Sequence, residues 1–154
     1  MDATNFVVPE PEEFTMQVSD IMTLGPEACS PGDTLRDVAR KMSEGDFGSM
    51  PVVDGERLVG VVTDRDITIR GVAEGLASDV EISQVMTPDP VCVSPDTDLE
   101  EAVEIMQEEQ IRRLYVTNDE DRLIGVVALA DVALAEDEEL SGETLEQISD
   151  NDDD

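Results

Sequence analysis

The sequence predicts an α+β fold built from two β-α-β-β-α repeats, and two observations predict it. The first is an internal duplication. The stretch VSDIMTLGPEACSPGDTL…MPVVDGERLVGVVTDRD (18–66) returns about 64 residues later as ISQVMTPDPVCVSPDTDL…LYVTNDEDRLIGVVALAD (82–131), with one inserted residue near Asp121. Met22/Met86, Pro31/Pro95, Leu35/Leu99, Gly60/Gly125 and Asp66/Asp131 are identical between the copies. The second is that each copy alternates short β-rich runs with an amphipathic helical stretch. A repeat of about 50 residues buries little core alone, so the two are expected to form one cooperative globule. Paired copies stack about a pseudo-twofold axis, and the joint between such halves is where small ligands settle.

Residues 1–17 hold PEPEE and read as an extended leader, tethered through Phe6 or Phe14. Repeat 1 spans 18–75. SDIM opens with an N-cap serine and SQVM repeats it, predicting a short helical turn in each copy. A strand follows around Glu27 to Cys29, and around Pro90 to Val93 in the second copy; Ser30-Pro31 and Ser94-Pro95 halt them. Leu35, Val38, Ala39 and Met42, and likewise Leu99, Ala102, Val103 and Met106, follow i, i+3, i+4, i+7 spacing and predict helices. MPVV-DGE-RLVGVVT and LYVT-NDED-RLIGVVA read as hairpins. Residues 76–81 form the glycine-preceded linker and 82–137 form repeat 2. The acidic tail, 138–154, is expected to be largely disordered, with Leu140, Leu145 and Ile148 able to support one weakly docked helix.

Charge narrows the possible partners. The chain has 39 acidic and nine basic residues, a formal net charge of −30, one lysine and 3% aromatics. With 1–17 and 136–154 set aside, 25 acids still face nine basic residues. At low salt such a shell repels itself, whereas at about 1 M salt the Debye length falls to about 3 Å. The expectation is a protein of a salt-rich cytoplasm, with an ordinary acidic protein as the plainer alternative. A polyanionic surface repels phosphate backbones and anionic lipid, so neither nucleic acid nor membrane is an expected partner. No apolar run approaches 18 residues and the N-terminus lacks a basic n-region, which argues against a span or secretion signal. Cys29 and Cys92 are too few for a disulfide framework or a four-ligand metal site; they read as small hydrophobes, and whether they bridge the repeats stays open.

D-x-M-T, S-P-x-x-T-L, the P-V-V-D strand and turn, and G-V-V-T-D-R-D together resemble the CBS domain, and their tandem arrangement resembles a Bateman module over residues 18–135. The resemblance implies repeats packed sheet to sheet, two clefts between them, and dimerisation of two modules, parallel or antiparallel. It also implies an adenosine-containing ligand.

The candidate ligand residues lie where strands end. Thr63 and Asp66, in Gly60-Val61-Val62-Thr63-Asp64-Arg65-Asp66, have capping-box spacing, worth about 1 kcal/mol without any ligand. The same geometry presents free N–H donors to an anion, and a carboxylate there can accept both hydroxyls of a ribose. In the CBS family the matching Thr and Asp meet phosphate and ribose. The second copy keeps Asp131 but has Ala128 in place of Thr63, so its site is expected to be weaker, different or empty, with Asp131 either a ligand contact there or merely a favourable charge in the first helical turn. Arg112 and Arg113, aligned with Gly48 and Ser49, either pair with Glu108 or Glu109 or hold a phosphate, as basic residues there do in the family. Thr23, Thr87, Ser49 and Leu114 are the remaining candidate ligand residues; apolar residues near Thr23, Thr87, Met50 and Leu114 would flank the base, or equally belong to the core.

Enzyme chemistry finds little support. The chain has no histidine, and neither a Walker A loop nor G-x-G-x-x-G occurs. The leading expectation is a non-catalytic, cytoplasmic regulatory homodimer. It would bind AMP, ADP or ATP, with S-adenosylmethionine ranked behind them, use no metal, and act in trans on an unknown effector protein. The alternative is a dimeric scaffold with empty or ion-filled clefts.

Overall fold

The computed structural model describes residues 16–135. The expected leader, apart from Met16 and Gln17, and the expected tail with Leu140, Leu145 and Ile148 lie outside the described residues. In chain order the elements are α1 (Val18–Ile21), β1 (Thr23–Leu24), α2 (Leu35–Gly45), β2 (Ser49–Asp54), β3 (Arg57–Thr63) and α3 (Asp64–Asp66), which continues as a π-helical turn (Ile67–Val72). A 3-10 turn (Ile82–Gln84), β4 (Thr87–Pro88), β5 (Cys92–Val93), α4 (Leu99–Glu109), β6 (Arg113–Thr117) and β7 (Leu123–Ala128) follow. Residues 129–135 are helical and form α5. The α+β class and the strand, helix, hairpin, helix order of each repeat agree with the sequence expectation.

The strands form a β1-β7-β6-β5 sheet and a β2-β3-β4 sheet. Each hairpin is thus flanked by the short strand that opens the other repeat: Thr23 pairs with Val126 and Thr87 with Val61, both antiparallel. The exchange extends further. The segment before repeat 2 bonds to the start of α2, where Leu35 N–H donates to Val80 O and Ile82 N–H to Asp33 O. The segment before repeat 1 does the same at α4, where Val18 N–H donates to Thr97 O and Leu99 N–H to Met16 O.

Contacts accordingly define two compact units out of phase with the sequence repeats. One comprises Thr23–Ser94 and Tyr115–Val126; the other comprises the described parts of Met1–Met22, Pro95–Leu114 and Val127–Asp154. In the first, Thr34 caps α2 by accepting from Asp37 N–H at 3.1 Å, and Asp46 ends it in the left-handed region. The buried stripe Leu35, Val38 and Met42 joins Met50, Val52 and Val62 of the hairpin and Ile82 and Val85 beyond the linker. Leu58, Tyr115 and Val126 form a second cluster with Val53, Val61 and Leu123, bringing the faces of the two sheets together. The hairpin turns also meet: Leu58 N–H donates to Asp121 O and Leu123 N–H to Glu56 O, while Arg122 pairs with Glu56 at 3.1 Å and Glu120 at 3.4 Å. In the other unit α4 buries Leu99, Ala102 and Met106.

Three local expectations are corrected. Ser19 is not an N-cap: α1 begins one residue earlier because the Val18–Thr97 bond fixes its entry, and Asp20 accepts from Gln17 N–H at 2.8 Å. Ser83 likewise lies inside its 3-10 turn, which Glu81 precedes. The strand at Glu27–Cys29 shrinks to one parallel bridge, Cys29 to Val52, and its counterpart to Cys92–Val93. Pro26 and Pro90 lack the N–H a longer ladder needs. Ala39, expected on the apolar face of α2, is exposed.

Both cysteines are free. Cys29 is 2% exposed, and burial, followed by the nearby Asp33 carboxylate, pushes its thiol up to about 11. Cys92 is exposed. A thiol reagent at pH 8 is therefore expected to modify Cys92 alone in the native protein and both cysteines after unfolding; two fast-reacting thiols in the folded state would refute this.

Candidate functional site at the end of the first hairpin

Thr63 closes β3 opposite Ser49, the first residue of β2. Its backbone is extended, with φ −118° and ψ 164°, while the next residue is helical. Thr63 Oγ1 accepts from Asp66 N–H at 3.0 Å, and Asp66 Oδ2 accepts from Thr63 N–H at 3.0 Å. The capping box expected from the sequence is present, and it places a hydroxyl and a carboxylate side by side at the strand's exit. Asp66 is fixed further by Arg70, whose Nε lies 3.9 Å from Oδ1. Arg70 Nη1 also donates to Val85 O at 3.3 Å and Met86 O at 3.4 Å, so the guanidinium links this helical turn to the opening of repeat 2. The half-exposed Arg70–Asp66 pair is long and contributes little stability by itself.

The other side of the site is backbone and hydroxyl. Asp64 N–H donates to Gly48 O at 2.9 Å. A Cβ on Gly48 would stand 2.9 Å from the Asp64 carboxylate, so the close approach requires glycine there or a displaced acid. Ser49 Oγ and the buried Tyr115 hydroxyl lie 3.1 Å apart. Thr87 is exposed on β4 beside this hairpin, and Thr23 is exposed on β1 in the other sheet. Met50 is fully buried in the core.

Arg112, Arg113, Leu114 and Asp131 belong to the second unit. There Leu129 N–H donates to Arg112 O at 2.8 Å, the counterpart of the Asp64–Gly48 bond. Ala128 supplies no capping hydroxyl, and Asp131 sits exposed in the first turn of α5. Among the described residues neither arginine pairs with Glu108 or Glu109. Arg112 is exposed, whereas the Arg113 Nε is buried without a hydrogen-bond partner. Leu114 is fully buried and is a core residue.

Sequence reasoning missed Tyr115, Asp64 and Arg70. The chain's single tyrosine, aligned with Pro51, was a visible signal for the first; the other two depend on close approaches between distant segments. Among the described residues no group of three or more His, Cys, Asp or Glu is arranged to hold a metal ion, and no helix is long and apolar enough to cross a membrane.

The chain belongs to the CBS domain family, whose pattern matches twice, at residues 18–70 and 82–138. The Bacillus subtilis protein YlbB is 38% identical over 139 residues, covering 88% of this chain and 93% of its own length. Among solved structures, Hypoxic Response Protein I, known from Mycobacterium tuberculosis and crystallised with two coordinated zinc ions, superposes with a TM-score of 0.71 at 34% identity. It covers 77% of this chain and 97% of its own. CBSX2 of Arabidopsis thaliana, solved in complex with AMP, gives a TM-score of 0.69 at 28% identity over 77% of this chain and 94% of its own.

Proposed function

We propose that the protein is a regulatory CBS pair that binds an adenosine nucleotide of the AMP, ADP or ATP class and works as a homodimer, biasing an effector protein in trans. The observation that carries this reading is the Thr63–Asp66 box. It holds a carboxylate, only 16% exposed as a side chain, beside a threonine hydroxyl at the strand's exit. That supplies the acceptor that the hydroxyls of a ribose require and a hydroxyl able to donate to a phosphate oxygen. CBSX2 in complex with AMP, a structure of the same fold, supports the ligand class. The unpartnered Arg113 Nε supports a second anion contact, and the missing hydroxyl at Ala128 supports a weaker second site. S-adenosylmethionine ranks behind the nucleotides, and the reading needs neither a metal nor catalysis.

Calorimetry of AMP, ADP, ATP and S-adenosylmethionine in molar salt tests it. Saturable binding of at least one nucleotide is expected, weakened about tenfold by Thr63→Ala, the worth of one hydrogen bond to a charged group. If none of the four binds, the scaffold reading takes over, and that reading has its own observation: Thr63 and Asp66 already satisfy one another without a ligand.

The charge of −30 supports a salt-rich cytoplasm as the working environment. Dialysis from molar to millimolar salt is expected to lower the melting temperature, and an unchanged melting curve would count against that placement.

A further inference from the structure

We propose that Arg70 is a positioning residue that ties Asp66 to β4, the strand that repeat 2 lends the first hairpin, and that a ligand on Asp66 tightens the hold of that strand. The tie stands on geometry alone; its use by a ligand rests on the nucleotide reading above. Arg70 lies in the π-helical turn, four residues after Asp66, and its guanidinium is divided between two neighbours. Nε stands 3.9 Å from Asp66 Oδ1, a long ion pair, while Nη1 donates to Val85 O at 3.3 Å and to Met86 O at 3.4 Å. These carbonyls lie just past the 3-10 turn (Ile82–Gln84), where the end of a helical turn leaves acceptors to be filled by other groups.

There is little slack beyond Met86. A Cβ on Gly60 would stand 2.7 Å from Met86 Sδ and 3.0 Å from Thr87 O, so Met86 lies directly against the backbone of β3. β4 starts at the next residue, where Thr87 pairs with Val61 and Pro88 with Gly60, and Asp89 N–H then donates to Val59 O at 3.4 Å. The turn that carries Arg70 is packed closely too: a Cβ on Gly71 would stand 3.2 Å from Leu35 and 3.8 Å from Val85. With backbone held close on both sides, the Arg70 side chain, 52% exposed, is the part that can shift. Ribose hydroxyls donating to Asp66 spread its negative charge and weaken its pull on Nε, and the guanidinium then closes on the two carbonyls. The planar fork of an arginine can serve a carboxylate and two carbonyls at once, which a single ammonium or amide cannot.

Hydrogen exchange in molar salt tests the tie first without a ligand and then with AMP. Arg70→Gln should speed exchange at Asp89 N–H about tenfold, as the loss of one hydrogen bond to a charged group gives, and leave Leu58 N–H, bonded to Asp121 O where the hairpin turns meet, unchanged. Arg70→Lys, which keeps the charge without the fork, should behave like Arg70→Gln. In the wild type AMP should slow Asp89 more than Leu58, and in Arg70→Gln it should slow the two alike. Because Arg70 acts through Asp66 and not on the ligand, Arg70→Gln should weaken AMP and adenosine by the same factor, about fivefold. Circular dichroism verifies that each variant is folded. Wild-type exchange at Asp89 in Arg70→Gln overturns the tie. Equal slowing of Asp89 and Leu58 by AMP in the wild type, or a loss of affinity confined to AMP, overturns its use by the ligand. A wild-type protein that binds neither AMP nor adenosine overturns the nucleotide reading and that use together, and faster exchange at Asp89 in Arg70→Gln would still establish the tie.

Discussion

Asp66→Ala is expected to lower nucleotide affinity about 100-fold while leaving the protein folded. The carboxylate accepts from Thr63 N–H and faces Arg70, and both oxygens retain lone pairs for ribose hydroxyls. Two charge-assisted hydrogen bonds at about 1.5–3 kcal/mol each, discounted for non-additivity, correspond to that factor. Removing the side chain also breaks half of the capping box, which costs ~1 kcal/mol of stability and leaves the core untouched. Asp66→Asn should fall between the two, because one oxygen still accepts while the amide nitrogen donates. Titration calorimetry paired with a melting curve separates the effects. A folded Asp66→Ala protein with wild-type affinity would reassign the box to a purely structural role.

Ile82→Ala carries the largest expected loss of stability, about 2–5 kcal/mol against the roughly 5–15 kcal/mol of a typical domain. Ile82 is 0% exposed and packs in the cluster with Leu35, Val38, Met42, Met50 and Val52. It belongs to repeat 2 by sequence, but the core it fills is made of repeat 1. Urea unfolding should reveal the loss, and hydrogen exchange should place the loosening in β2 and β3. Val91→Ala, at a 39% exposed position, should stay within about 0.5 kcal/mol. An equally mild Ile82→Ala would contradict the packing.

What could be read from the sequence was local. The capping box depends on a three-residue spacing, the hairpins on turn residues between β-rich runs, and α2 and α4 on helical periodicity; each leaves its mark within about a dozen residues. The exchanged strands escaped because β1 and β4 have two residues each, too few for any alternation to register, and their partners lie far along the chain. Ser19 and Ser83 were misread as caps because a backbone bond from Thr97 and the bonds of the linker, not a side chain, set where those turns begin. Burial of the Arg113 Nε and the reach of Arg70 to Val85 and Met86 depend on tertiary packing, which no spacing rule encodes.

The pairing of Thr23 with Val126 also bears on how the chain comes off the ribosome. The opening strand waits for about a hundred further residues before its neighbour exists, and the contact is among the longest in the chain, which slows closure. A nascent chain stalled after the first hairpin would therefore hold an unmatched edge. An isolated copy of either repeat, expressed by itself, would lack the strand and the turn that complete it, so natural or engineered shuffling of these copies has to move them as a couple.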